Sequence, residues 1–470
     1  MLDNWRRRLS QLPGQFVFNQ DERPPFPDWV SRPVQSYTLH TSPSTQIRTF
    51  PNQNREVLVI GVIAAAENEA VDRENCPAGQ FVAITGSEVF SDAGSLKQAF
   101  FERATGSVAS SPRLLGPPGA KAISPELLHG SRPDWYWGPR TSFPNVDFLL
   151  PSQWLDLHAF TPRFRALPKP SKRAPADPAK LLERELSKSF KELASSGNPI
   201  RLAMTGGIDS RTLFAAALRA GIEFETYTMV SPHVHPVDVA VAKEISDRFR
   251  IRHSILRVGR IDRDELDWYL WYSAGQSVTL DADFHAAGLW RQFNPDAIHI
   301  RGLGFELNRH KYRDFIEAQD EELFRTDPTA IWKKFTRPWV RPLHRYNREA
   351  FDSYGRWLGE TLDLSTMDFR DRLYLEQGIG SWCASAEYAL GATGAHRISI
   401  GNSSALYNLF VREGAGSKKP GPLQRAMMSA IDPAFLDYPF AKPTSAERLR
   451  FRALDTLRTL RVRRRLQRLR

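Results

Sequence analysis

The 470-residue sequence predicts a mixed α/β plus α+β protein, in which a β-rich sandwich precedes a parallel-sheet domain with a helical C-terminal half. Three observations predict this architecture. Short apolar runs separated by turn residues fill the first 165 positions, strand and helix patterns alternate from residue 181, and apolar residues recur at helical spacing from about residue 262. At roughly 100–200 residues per domain, the length allows two to four domains.

Residues 1–165 form the predicted β-rich domain. Its apolar runs are separated by clusters of Pro, Asn, Gly and Ser, and the clearest runs are residues 15–18, 34–40 and 56–63. Residues 166–180 are rich in proline and charge, a composition that packs poorly. We therefore expect an exposed linker at 166–180 and the main domain boundary there.

The second domain is predicted over residues 181–447 and begins with alternating elements. They are a helix at 181–195, a strand at 200–204, a helix at 211–220, a strand at 224–229, a helix at 237–249 and a strand at 254–258. Because strands that alternate with helices usually pair in parallel, this order predicts a doubly wound sheet.

The composition is that of a globular protein, with 41% hydrophobic residues, 28 Phe, 12 Trp and 12 Tyr. The two cysteines, Cys76 and Cys383, form no CxxC motif and exclude a disulfide-stapled scaffold. No apolar run approaches the ~18–20 residues that a bilayer span needs, and the start of the chain has no apolar stretch typical of a signal peptide. We expect a cytoplasmic protein without a transmembrane segment.

The formal net charge of +11 is concentrated in one segment. Residues 448–470 hold ten arginines and one acid, Asp455, which gives +9 and leaves +2 for the preceding 447 residues. Leucines interleave the arginines, and this pattern predicts a basic amphipathic helix or a frayed tail. Such a segment is either solvated or docks an acidic partner, an anionic lipid surface or nucleic acid.

The hexapeptide Thr205-Gly206-Gly207-Ile208-Asp209-Ser210 lies between a predicted strand and a predicted helix. Its glycines allow a tight turn whose backbone N–H groups can point at phosphate oxygens, and the helix adds its N-terminal partial charge. Asp209 would be repelled by bare phosphate unless it holds a bridging Mg²⁺. No Lys follows the glycines, so the segment is not a Walker A loop. The alternative is an ordinary turn with an Asp/Ser helix cap.

This hexapeptide resembles the pyrophosphate loop of the N-type ATP pyrophosphatases, usually written SGGxDS, and most closely the synthetase domain of the asparagine synthetase family. Further resemblances to that family follow in the expected order. They are the glutaminase-type segments 79–82, 89–95 and 108–111, the domain-closing segment 149–157, the loop 300–307 in the place of GEGSDE, and 439–443, where the family carries a catalytic lysine.

The resemblance implies a glutaminase-like sandwich followed by an adenine-nucleotide α-hydrolase-like (HUP-type) synthetase domain. It also implies a reaction in two steps. A carboxylate attacks the α-phosphorus of ATP to give an acyl-adenylate and pyrophosphate, and an amine then displaces AMP to form an amide. ATP and Mg²⁺ are the implied cofactors, and the implied substrates are a carboxylate and an amine on a small molecule, a peptide or a glycan.

The same resemblance assigns roles to individual residues. It assigns nucleotide contacts to Thr205, Gly206, Gly207, Asp209, Ser210, Met229, Val230, Gly302 and Gly304. Asp209 and Glu306 would hold Mg²⁺. Glu306 and Lys442 would be the catalytic residues, because the Lys442 ammonium would neutralise negative charge at the reacting phosphorus.

Each of these assignments has an alternative. Glu306 could be a surface carboxylate beside Arg309, since exposed ion pairs are common. Lys442 could be an ordinary solvated lysine. Met229 and Val230 could be a pair of core residues.

Two departures from the family pattern matter. A member that hydrolyses glutamine needs a cysteine directly after Met1 as its nucleophile, and position 2 is Leu. The acidic position linked to deprotonating the amine is Leu303, so that proton would have to go elsewhere, for example to Glu376 or Glu387. These losses resemble the branch with β-lactam synthetase and lasso peptide cyclases, where a substrate amine replaces ammonia and the product can be a macrolactam or another natural product.

Three functions therefore stay open at the level of sequence. The first is an ATP-dependent, AMP-forming amide ligase without its own glutamine hydrolysis. The second is a tRNA-modifying ATP pyrophosphatase, which the basic charge favours and the absence of paired cysteines disfavours. The third is a nucleotide-binding protein without catalysis, which Leu303 favours and the intact glycine-rich hexapeptide disfavours.

Overall fold

The computed structural model describes residues 2–52, 55–115, 135–169, 176–230, 236–257, 259–260, 262–273, 288, 292–314, 316–335, 345–413, 421–440 and 449. Lys442 lies outside these residues, as does the basic segment 448–470 apart from residue 449. None of the described helices is both long and apolar enough to cross a membrane.

The first part of the chain forms two antiparallel sheets. The strands are β1 (Phe16–Asn19), β2 (Val30–Val34), β3 (Tyr37–Thr41), β4 (Ile47–Asn52), β5 (Arg55–Ala64), β6 (Ala78–Ile84), β7 (Glu88–Ser91), β8 (Phe100–Glu102), β9 (Ser107–Ala109), β10 (Val146–Phe148), β11 (Gln153–Asp156) and β12 (Thr161–Phe164). One sheet has the order β10-β8-β9-β1-β3-β2 and the other β12-β11-β7-β6-β5-β4. Fully buried side chains from both sheets, among them Phe18, Leu39, Ile60 and Val82, share one core.

A parallel sheet follows. Its strands are β13 (Ile200–Ala203), β14 (Glu225–Val230), β15 (His253–Arg257), β16 (Ile298–Ile300) and β17 (His396–Ile398). Their order is β15-β14-β13-β16-β17, and every neighbouring pair is parallel. Because β16 pairs with β13, the loops that leave these two strands lie side by side at the same edge of the sheet.

Helices cover the parallel sheet and account for most of the later chain. They are α1 (Leu2–Gln11), α2 (Pro178–Ala194), α3 (Ile208–Ala220), α4 (Pro236–Arg248), α5 (Arg263–Ser273), α6 (Asp320–Thr326), α7 (Pro328–Phe335), α8 (Arg345–Thr361), α9 (Phe369–Leu373), a π-helix (Tyr374–Cys383), α10 (Ala384–Leu390), α11 (Ser404–Glu413) and α12 (Pro422–Ile431). The N-cap of α2 is Asp177, whose side chain accepts the Lys180 N–H at 2.9 Å, and Pro178 occupies the first turn.

The predicted alternation of strands and helices and the parallel sheet are confirmed. The helix predicted at 211–220 begins three residues earlier, at Ile208, because Gly207 is already its N-cap. The apolar run at 34–40 belongs to two strands. β2 ends at Val34 and β3 begins at Tyr37, and Gln35 adopts φ +56° in the tight turn between them.

Helix α1 lies in a region where the sequence predicted only strands. Trp5 and Leu9, four residues apart, are buried. Arg8 donates to both carboxylate oxygens of Glu265, at 3.2 and 2.9 Å, and the rings of Trp5 and Trp271 lie 5.7 Å apart. The amphipathic face of α1 therefore packs on α5.

Asn402, which follows β17, links the antiparallel sheets to the later part of the chain. Its Nδ2 donates to Gly79 O at 2.6 Å and to Asp92 Oδ1 at 2.7 Å. Its Oδ1 accepts the Tyr407 hydroxyl at 2.9 Å. Asp92 is fully buried and also accepts three backbone N–H groups, so its carboxylate depends on donors supplied by both parts of the chain.

Replacing Asn402 by Leu should lower the free energy of unfolding by about 2–3 kcal/mol, because a buried carboxylate and a carbonyl lose their donor. Tyr407→Phe, which removes one neutral hydrogen bond to the same amide, should cost only about 0.5–1.5 kcal/mol. Urea denaturation followed by tryptophan fluorescence would measure both. Equal costs for the two variants would contradict the role of Asn402 in compensating Asp92.

Candidate active site

The glycine loop, residues 205–210, connects β13 to α3. Hydrogen bonds of its own two hydroxyl groups stabilise its conformation. Ser210 Oγ accepts the Thr205 N–H at 3.2 Å and lies 3.0 Å from Thr205 Oγ1, which accepts the Gly207 N–H at 3.1 Å. A Cβ at Gly206 would lie 2.8 Å from Asp238 Oδ1, because α4 begins beside the loop. Thr205, Gly206, Gly207 and Ser210 thus meet at the N-terminus of α3.

The second loop, residues 301–306, leaves β16 and lies against the glycine loop. A Cβ at Gly302 would be 3.2 Å from Asp209 Cβ, so the two loops touch at this glycine. The Gly304 N–H donates to Glu306 Oε2 at 3.0 Å. A 3-10 turn over Phe305–Arg309 then carries Glu306 and Arg309 on the side of Asp209.

Three charged side chains meet between the two loops. Arg309 Nη2 donates to Asp209 Oδ2 at 2.8 Å and lies 3.6 Å from Glu306 Oε1, so the two carboxylates share one cation. Burial raises the pKa of Asp209 to about 6, the charge of Glu306 adds to the rise, and Arg309 opposes it. With two acids and one base, the cluster holds an excess of negative charge when it is fully ionised.

Glu306 is therefore more than an exposed partner of Arg309. Only 17% of its side-chain surface is exposed, and it shares Arg309 with a second carboxylate. The spacing of three residues between Glu306 and Arg309 was visible in the sequence. Their meeting with Asp209, about a hundred positions earlier, depends on the pairing of β13 with β16.

Gln424 in α12 completes the environment of Asp209 and was missed by the sequence analysis. Its Nε2 donates to Asp209 Oδ1 at 3.2 Å, and its Oε1 accepts the Asn308 amide at 3.1 Å. Gln424 is fully buried. A single glutamine in a helical pattern gives no signal of such a contact.

The chain just before Lys442 is anchored beside the glycine loop by Arg211. This arginine is fully buried in the first turns of α3 and donates to three backbone carbonyls within residues 435–439, at 2.5–3.1 Å. Its guanidinium carbon lies 4.1 Å from the ring centroid of Phe440. Residue 440 is therefore held near the N-terminus of α3.

Met229 and Val230 end strand β14 at the same edge of the sheet as the glycine loop. The neighbouring strands are aligned by the Met204 N–H, which donates to Tyr227 O at 2.8 Å, and by Thr228 Oγ1, which donates to Met204 O at 2.6 Å. Met229 and Val230 are half-buried. Their position is compatible both with packing and with contact to a ligand that lies over the sheet edge.

The two glutamates considered as proton acceptors are both engaged in ion pairs. Glu376 is fully buried and accepts Arg372 Nε at 3.0 Å. Glu387 accepts Arg301 at 2.5 Å and Arg397 at 3.1 Å. Burial raises the pKa of Glu387, but the two arginines outweigh it and leave the pKa below its usual range. Glu387 is therefore poorly suited to accept a proton at neutral pH, and the carboxylate of Glu376 is already engaged by Arg372.

Comparison with known proteins gives distant likenesses. No family model and no curated protein matches the chain. Among solved structures, the chain is similar to the glutamine-dependent NAD⁺ synthetase of Acinetobacter baumannii, with 15% identity over 37% of this chain and 38% of that chain, and a TM-score of 0.21. It is also similar to the NMN synthetase of Francisella tularensis, with 13% identity over 43% of this chain and 93% of that chain, and a TM-score of 0.23. Likenesses this weak assign no family.

The charged cluster fits a magnesium ion that arrives with phosphate. Mg²⁺ in nucleotide sites is usually held by one or two carboxylates, and phosphate oxygens and water fill the remaining positions. Asp209 and Glu306 are such a pair, and Arg309 already places a positive charge between them. Among the residues that the structure describes, no group of three or more His, Cys, Asp and Glu could hold a metal ion. The two carboxylates would thus need ligand oxygens to complete the coordination.

Asp209→Asn should stabilise the protein at pH 7.5 by about 1–3 kcal/mol. The folded-state pKa of Asp209, about 6, lies above the ordinary value of 3.8 for an aspartate, so wild-type stability falls as pH rises from about 4 to about 6. The Asn variant escapes that loss, and its advantage should be smaller at pH 5 than at pH 7.5. Thermal unfolding at both pH values would measure it.

Asp247→Asn is the matched control, because Asp247 is an exposed carboxylate paired with Lys243 four residues away. This control should change stability by no more than about 0.5 kcal/mol at either pH. A loss of stability in Asp209→Asn at pH 7.5 would contradict the net destabilisation of the buried carboxylate.

Proposed function

We propose that this chain is an ATP-dependent amide ligase that activates a carboxylate as its adenylate and transfers the acyl group to an amine. The observation that carries the proposal is the meeting of Asp209 and Glu306 around a single cation, next to the glycine loop and the N-terminus of α3. A glycine loop and a helix N-terminus suit phosphate, and a pair of carboxylates suits the metal that accompanies it.

The two loops and the end of β14 would each bind a different part of ATP. The backbone of the glycine loop and the hydroxyls of Thr205 and Ser210 would hold the pyrophosphate part, once these hydroxyls exchange their present mutual hydrogen bonds for phosphate oxygens. Asp209 and Glu306 would hold Mg²⁺, which supplies positive charge to the phosphates. Met229 and Val230 would lie against the adenine.

The proposed reaction has two steps. A carboxylate oxygen of the substrate bonds to the α-phosphorus, and the bond from that phosphorus to the α,β-bridging oxygen breaks to release pyrophosphate. An amine nitrogen then bonds to the acyl carbon, and the bond from that carbon to the AMP oxygen breaks. Lys442 would neutralise negative charge on the phosphorus, and the residues that precede it, 435–440, are anchored on Arg211.

The proton lost by the amine needs an acceptor other than Glu376 and Glu387. Both carboxylates are held by arginines, and Leu303 stands where the family carries an acid. The phosphate of departing AMP gains a negative charge as the acyl bond breaks, and it can take this proton. Such a mechanism suits a substrate amine that is already partly deprotonated when it binds.

A second candidate function is a nucleotide-binding protein without ligase activity. The ion pairing of Glu376 and Glu387 together with Leu303 favours it, because the described residues at these positions supply no base for the second step. The two functions differ in the first step, since only a ligase cleaves the α,β bond of ATP.

Exchange of labelled pyrophosphate into ATP tests the first step directly. With pools of amino acids, peptides and sugar acids as carboxylate donors, the wild-type chain should catalyse carboxylate-dependent exchange. Asp209→Asn and Glu306→Gln should each lower it by at least about a hundredfold, since loss of one metal ligand or charge-stabilising group typically costs that much.

Asp247→Asn is again the control and should exchange at the wild-type rate. Tight ATP binding with no exchange across all pools would support the nucleotide-binding alternative. Full exchange in Asp209→Asn would contradict the placement of the metal.

A further inference from the structure

A cavity of about 190 Å³ lies between the antiparallel sheets and the parallel sheet. Its wall includes Gln80, Lys97 and Gln98 on one side, and Ile298, His396 and Arg397 on the other. Ile298 and His396 begin β16 and β17, whereas the second loop leaves the far end of β16. The cavity is therefore at the opposite edge of the parallel sheet from the candidate active site.

The side chain of Lys97 is built into this wall. Gly61, with φ +129°, and Gly14, with φ +73°, make room for it, because a Cβ at Gly61 would lie 3.0 Å from Lys97 Cδ and a Cβ at Gly14 would lie 3.2 Å from Lys97 Nζ. Among the described residues, Lys97 Nζ has no hydrogen-bond or ion-pair partner. Asp92, the acid whose charge acts on Lys97, is occupied by three backbone N–H groups and Asn402.

The arginines of the cavity wall are, in contrast, already paired within the protein. Arg48 donates to the carbonyls of Ile63 at 3.1 Å and Ala65 at 3.0 Å. Arg397 donates to Glu387. Burial lowers the pKa of Lys97 to about 8, Asp92 raises it in part and Arg397 lowers it further, so most of the amine is charged at pH 7. The cavity wall also holds two acids: Glu387, which is paired with Arg301 and Arg397, and Glu192, which lies beyond ion-pair distance of Lys97. Within the described part of the protein, the ammonium of Lys97 therefore has no carboxylate in contact with it.

A second polar group of the cavity wall also lacks a partner. Gln98 is only 2% exposed, and its Nε2 donates to Ser385 Oγ at 3.4 Å, but none of the described residues donates to its Oε1. A buried amide oxygen without a donor is costly unless a ligand or water supplies one. A ligand would therefore pair with the Lys97 ammonium through a negatively charged acceptor. It would donate an N–H or O–H group to Gln98 Oε1.

We propose that this cavity binds a small carboxylate that also carries a hydroxyl or amino group, with Lys97 as its ion-pair partner and Gln98 Oε1 as the acceptor for its donor. The volume has room for about six water-sized groups, which is the size of a hydroxy acid or an amino acid. Ligand binding here requires no reaction and does not depend on the proposed ligase activity.

The test uses glycolate as the probe and sodium chloride at equal ionic strength as the reference. Glycolate should raise the melting temperature of the wild-type chain in a saturable way, by about 1–3 °C at tenfold excess over its Kd. Lys97→Met should lose this shift. Lys188→Met is the matched control, because Lys188 is exposed and paired with Glu69 at 2.7 Å, and it should keep the shift.

Saturation-transfer NMR on glycolate gives a second readout that does not depend on stability. Transfer should be clear for the wild-type chain and for Lys188→Met, and at least fivefold weaker for Lys97→Met. Without glycolate, Lys97→Met should melt at a higher temperature than the wild type, because an unpaired, half-buried ammonium is removed. An absence of glycolate binding in the wild type, or equal binding in Lys97→Met, would overturn the proposal.

Discussion

The pairing of β13 with β16 is the constraint on which the candidate active site depends. These parallel strands are about a hundred residues apart in sequence, yet they are neighbours in the sheet. The loops that follow them must therefore leave the same edge, and Gly302 allows them to come into contact beside Asp209. The sharing of Arg309 between Asp209 and Glu306 depends on this contact.

The charge distribution at this edge costs the protein stability. Two carboxylates share one arginine, and burial keeps Asp209 hard to ionise even with that arginine in place. Such an arrangement lowers the stability of the folded protein but suits the binding of a cation. A divalent cation with bound phosphate would supply the positive charge that the protein lacks. Arg309 would then have to give up part of its contact with the acids.

Elements with a local signal were predictable from the sequence. The two glycines and Asp209 between a strand and a helix located the glycine loop, and the alternation of patterns predicted the parallel sheet. Contacts over long distances in sequence were missed. Gln424 and Lys97 each make their contacts only because distant segments pack against them. A single polar residue in the sequence does not indicate such a contact.

Two local features gave no clear signal in the sequence. No glycine or proline lies inside the apolar run at 34–40, yet Gln35 adopts a left-handed conformation and makes a hairpin. Helix α1 was missed because its mean hydropathy is low, and its two buried anchors, Trp5 and Leu9, are few for a helix that packs on α5.

The most direct test of the central claim is a crystal structure of the chain with Mg²⁺ and α,β-methylene ATP, whose α,β bond cannot be cleaved by this chemistry. The account predicts a metal ion about 2.0–2.1 Å from oxygens of Asp209 and Glu306 and of the phosphates. It also predicts that the pyrophosphate part contacts the N–H groups of the glycine loop and that Arg309 is displaced from its present position. A nucleotide bound elsewhere, or at this edge with neither carboxylate on its metal, would contradict the account.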